Sequence, residues 1–158
     1  MKLKLMVVGR TEGGWISDGC DQYARRIVHY LPFTLEVVPD IRGAGGLGPA
    51  QLRRKEAEKV LERLGPDDRL ILMDERGRTY PSLEFASLLS KAALEGVRSM
   101  VFLIAGAYGA DESLKARADQ VMSLSPMTFP HQLVRVLFLE QLYRACTINK
   151  GEKYHNEG

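Results

Sequence analysis

Apolar and polar positions along this chain fall into two alternating periods, short continuous apolar runs and longer stretches with helical spacing. Leu3–Val8 is an apolar run stopped by Gly9 and predicts a first strand. Tyr23, Ile27 and Tyr30 recur at helical spacing, which predicts a helix from about Ile16 to Leu31, ended by Pro32. Thr34–Val38 predicts a second strand, stopped by Pro39. A glycine-rich loop over 40–49 leads through Pro49 into a charged helix reaching about Leu64. Arg69–Met73 predicts a buried strand closed by Asp74. Ser82 then suits the cap of a helix running from Leu83 to about Leu94. Met100–Ile104 is a further apolar strand that runs straight into Ala105-Gly106-Ala107-Tyr108-Gly109. Asp111 caps a short helix to about Ala118, and Val121–Leu124 is the last strand. After a loop over 125–130, residues 131–148 form a helix apolar on most faces.

Strands alternate with helices, and several strands are apolar throughout, as in a parallel sheet covered on both faces. No internal repeat or linker interrupts the pattern. The reading is one α/β domain spanning 1–158, a length sufficient for a real core.

Composition narrows the class. Hydrophobic residues make up 45% and charged residues 27%, an ordinary globular balance. No apolar run approaches the roughly twenty residues that span a bilayer. The opening residues show no extended apolar region with a cleavage site, so no signal peptide is expected and a cytoplasmic location is. Cys20 and Cys146 make no disulfide framework. The three histidines form no ligand pattern with them, so no metal is expected. A net charge of +2 permits an RNA partner if basic residues cluster and demands none. Arg42, Arg53, Arg54 and Lys55 flank the glycine-rich loop, where phosphate contact competes with a plain solvated face.

In open α/β sheets, ligands bind beyond the carboxyl ends of strands. Three such ends stand out: Met73-Asp74, Ala105 to Gly109, and Leu124 to Phe129. From spacing alone a tight turn at 105–109 is the better reading. His131 and Arg135 lie one helical turn apart just after a proline-bounded loop. An arginine in so apolar a helix needs a carboxylate or an anion, and Glu140 is a candidate partner. Glu140 could equally pair with Arg144 at i,i+4. Two roles suit His131 equally, a helix cap or a place at the mouth of a site, and Tyr154-His155 stands in a polar tail.

Three segments together carry a resemblance: Met122 through Leu137, Glu140-Gln141-Leu142-Tyr143-Arg144-Ala145, and Lys150 through His155. They resemble the RlmH family of SPOUT-class methyltransferases, and the similarity extends over the whole chain. The resemblance implies S-adenosyl-L-methionine as cofactor and N3 of a pseudouridine in large-subunit ribosomal RNA as target, and the small net charge suggests recognition by shape, with an assembled ribosome as substrate. The resemblance also implies a parallel sheet with a C-terminal trefoil knot, and a homodimer with the last helix at its interface. Cofactor contacts would fall on Met73, Ala105, Gly106, Gly109, Leu124, Ser125, Pro126, Met127, Thr128 and Phe129. Arg135, His131, Tyr154 and His155 would supply the catalytic groups. One departure stands out: the family usually carries two adjacent glycines where this chain has Ala105-Gly106. Were positive φ required there, alanine would cost about 1 kcal/mol.

Overall fold

The computed structural model describes residues 1–157. Five strands form one sheet: β1 (Lys2–Val8), β2 (Phe33–Val38), β3 (Arg69–Thr79), β4 (Ser99–Ile104) and β5 (Gln120–Ser123). Their order is β2-β1-β4-β3-β5, and every pairing is parallel. The helices are α1 (Trp15–Ile27), α2 (Pro49–Leu61), α3 (Ser82–Leu94), α4 (Glu112–Arg117) and α5 (Leu133–Lys150).

Side chains alternate across the sheet and build two cores. Leu3, Leu5, Val7, Ile71, Met100 and Phe102 face α1, α3 and α5. Met6, Val8, Leu70, Leu72, Val101 and Leu103 face α2 and α4. Strands buried on both faces leave no polar alternation, which is why they read as continuous apolar runs. Helix α5 lies between α1 and α3 and is anchored on the sheet by Phe138, whose ring centroid is 4.8 Å from that of Phe102. Both cysteines are free and buried.

Three expectations are corrected. Strand β3 does not close at Asp74. It loops out and rejoins β5, so that Met122 is in register with both Met73 and Arg78. Its second half, Asp74-Glu75-Arg76-Gly77-Arg78-Thr79, is polar because it lies at the surface and carries no apolar signal. Ser82 is not the cap of α3: Pro81 holds that position, and Ser82 is already helical. The first helix ends at Ile27, and the turn over 28–30 brings the chain to Pro32.

Candidate active site

The carboxyl ends of β3, β4 and β5 open together into one cavity of about 500 Å³. Its floor is apolar, with Met73, Ile104 and Leu124. Its walls are two loops. Ala105 to Ala110 forms one, turned by Gly109, which takes φ +85° and donates its amide to the Gly106 carbonyl at 3.0 Å. The other, Leu124 to Pro130, is braced by its own hydroxyls. Ser123 Oγ donates to the Ser125 carbonyl at 2.7 Å, and Ser125 Oγ accepts the Met127 amide at 3.0 Å. Thr128 Oγ1 donates to the Glu75 carboxylate, tying this wall to the β3 loop.

Of the positions expected to meet a cofactor, the structure gathers Met73, Ala105, Gly106, Gly109, Leu124, Ser125, Met127, Thr128 and Phe129 around this cavity. Pro126 does not line it. Ala105 departs from the family pattern without backbone strain, since no described residue other than glycine has positive φ. A Cβ on Gly106 would lie 2.6 Å from Glu56 Oε2, so a side chain there would displace that carboxylate. Asp74, at a strand end the sequence singled out, and Glu75, which it did not, also line the cavity.

The four expected catalytic residues separate. His131 lines the cavity, half-buried. Burial, and then the nearby Arg135 charge, lower its pKa below the usual imidazole range, so it is neutral near pH 7. Arg135 does not line the cavity. It is 0% exposed, and its guanidinium donates to the Val8 and Gly9 carbonyls and to Thr11 Oγ1, each at 2.9 Å. Glu140 is not its partner but pairs with Arg144. Arg135 thereby clamps the β1–α1 loop onto α5. Gln132, which the sequence reading missed, adds to that clamp by accepting the Glu12 amide at 2.9 Å and donating to the Arg10 carbonyl at 3.0 Å. A polar residue between His131 and an apolar run was the only signal in the sequence.

Tyr154 and His155 lie away from this cavity and fold back along their own α5. Tyr154 Oη donates to Glu140 Oε1 at 3.0 Å, its ring packs edge-on against Tyr143, and the Arg144 guanidinium lies over it. Burial and that acceptor raise the phenol pKa, so Tyr154 stays protonated. His155 Nδ1 is 3.2 Å from Arg144. Among the described residues, no group of three or more His, Cys, Asp or Glu side chains could hold a metal ion, and no helix is long and apolar enough to cross a membrane.

Comparison with known proteins identifies the family and the fold. The chain matches the family described as predicted SPOUT methyltransferase over residues 1–155. It is 45% identical to ribosomal RNA large subunit methyltransferase H of Geobacter metallireducens, covering 99% of both chains. The protein of the same name from Porphyromonas gingivalis is 44% identical, over 99% of this chain and 100% of that one. Among solved structures, a probable methyltransferase from Bordetella pertussis superposes with a TM-score of 0.56 at 12% identity, covering 92% of this chain and 94% of that one, a likeness of fold. The chain belongs to the SPOUT methyltransferases, in the family of ribosomal RNA large subunit methyltransferase H.

Proposed function

We propose that this methyltransferase uses S-adenosyl-L-methionine to methylate N3 of a pseudouridine in large-subunit ribosomal RNA, in the cytoplasm and on an assembled ribosome. The observation that carries the reading is the cavity at the ends of β3, β4 and β5, walled by loop backbone and reached by a neutral histidine. The cavity fits the cofactor. Its 500 Å³ is within the usual range for small-molecule sites, its floor is apolar, and Asp74 and Glu75 suit a cationic ligand. Met73 and the backbone of 105–109 and 124–129 would hold it. When bound, it supplies an electrophilic methyl group on a sulfonium centre.

The protein's own contribution is positioning and one proton. N3 of pseudouridine is an imide nitrogen and must lose its proton as it takes the methyl. His131, which lines the cavity, would accept that proton on a ring nitrogen. Its Nε2 lies 3.4 Å from the Gln132 amide nitrogen, itself a donor, which favours the lone pair on Nε2. Arg135 acts through the loop it clamps, as a positioning residue. Tyr154 and His155 would reach a substrate in the homodimer, where the tail of one protomer meets the cavity of its partner. The same reading extends to topology. It includes a C-terminal trefoil knot.

The test is methyl transfer from labelled S-adenosyl-L-methionine to ribosomes lacking the modification. The wild-type protein is expected to label the RNA. His131→Ala is expected to bind the cofactor equally well and to lose about 10²-fold or more in kcat. The wild-type acid limb should fall below pH 6.5, because burial lowers the imidazole pKa, and should vanish in the variant. No label in RNA from the wild-type protein would overturn the reading. Full turnover by His131→Ala would remove the histidine from it.

A further inference from the structure

Two side chains at the outer rim of the cavity stand exposed on the loops whose backbone is proposed to hold the cofactor, and the proton step uses neither. On one lip Tyr108 is 57% exposed, and on the other Met127 is 74% exposed. Helix α2 runs behind the Tyr108 lip. Its Glu56 carboxylate fills the space where a Gly106 Cβ would lie, and the helix packs against α4, which begins directly after the wall. Arg53 precedes Glu56 by three residues and shares its helix face. Arg53 and Arg54 both act electrostatically on Asp111, the cap of α4, one residue beyond the wall. Unlike Arg69, Arg76, Arg117 and Arg144, neither reaches a carboxylate at ion-pair distance among the described residues. Two guanidinium groups without a carboxylate at ion-pair distance, Arg53 half-buried and Arg54 exposed, therefore act on Asp111, three residues along the chain from the exposed Tyr108 ring.

We propose that Arg53, Arg54 and Tyr108 form a docking track for the substrate RNA, the arginines meeting backbone phosphates and the tyrosine stacking on a base next to the target. The inference rests on the RNA-methyltransferase reading. RNA fits because phosphate contacts need uncommitted cations, while a splayed base needs an exposed aromatic face. The protein's net charge of +2 is too small to steer RNA by itself, so local pairs of this kind must supply the attraction.

The experiment measures KM for ribosomes, kcat and cofactor affinity across a salt series, comparing wild type with Arg53→Gln/Arg54→Gln. Glutamine keeps the helix propensity and adds no charge beside Glu56. KM is expected to rise about tenfold or more, and the slope of log KM against log salt to fall by about two, one for each cation removed. Cofactor affinity, kcat and melting temperature should hold. Tyr108→Ala should raise KM roughly fivefold or more with no change in slope. Arg98→Gln serves as control, an exposed arginine just before β4 at the opposite end of the sheet. Unchanged KM and slope in the double variant, or the same change in Arg98→Gln, would overturn the track. Failure of the wild-type protein to methylate RNA would overturn the parent reading, and the track with it.

Discussion

Gly77→Ala is expected to destabilise the protein by about 3 kcal/mol or more, or to prevent soluble folding altogether. A Cβ on residue 77 would lie 2.7 Å from Met122 N, from Met122 C and from Val121 C. All three are backbone atoms, held in the β3–β5 ladder, so no side-chain rotation can relieve the clash. Gly77 sits where β3 rejoins β5, one residue before Arg78 pairs with Met122. Forcing the two strands apart there would also displace the Leu124 loop that walls the cavity. Urea denaturation followed by circular dichroism measures the loss. Gly46→Ala is the matched control, because a Cβ there meets nothing within 4 Å and φ is not positive. That variant should stay within about 0.5 kcal/mol of wild type. Equal stability of the two would mean that β3 and β5 do not approach as closely as described.

Arg135→Met should cost about 2–4 kcal/mol. Methionine can fill the space but donates no hydrogen bond. The Val8 and Gly9 carbonyls and Thr11 Oγ1 would lose their donors, and the first two bonds are buried. Relief of the arginine's own desolvation offsets part of this, and the unpartnered Nε shows that the guanidinium is not fully satisfied even now. Arg135→Lys should fall between the two, since an ammonium keeps the charge but cannot fork to three acceptors. Turnover should fall along with stability, because the released loop also holds Gln132 beside His131. A variant that melts like wild type yet has lost turnover would show that the guanidinium acts on the substrate instead.

The two residues show where sequence legibility ends. Strand β4 was readable because burial on both faces makes it an apolar run, and β1 nearly so, whereas the edge strands β2 and β5 mix polar and apolar residues and were readable from short apolar runs, β2 also from its stop at Pro39. The three loops around the cavity were readable because two begin at the ends of strands β4 and β5 and the third leaves an apolar run at Met73. The return of β3 through Arg78 was not, since an exposed, charged segment paired on one side has no periodic signature. Arg135 was legible as an anomaly in an apolar helix, but its acceptors lie 124 to 127 residues away and two are backbone carbonyls, which leave no trace in side-chain spacing. Glu140 was the nearest acid in sequence, and helix geometry gave it to Arg144 instead. Tyr154 and His155 were legible through resemblance alone, and within one protomer they fold against α5, away from the cavity.

The most direct test of the cavity as a ribosomal RNA methylation site is to identify the nucleoside it makes. Ribosomes lacking the modification are incubated with the protein and S-adenosyl-L-methionine, the RNA is digested, and the nucleosides are separated and weighed. The expected product is N3-methylpseudouridine, absent when the protein is omitted. A methyl group found instead on ribose or on another base would contradict the assigned target, and unmodified RNA would contradict the assigned activity.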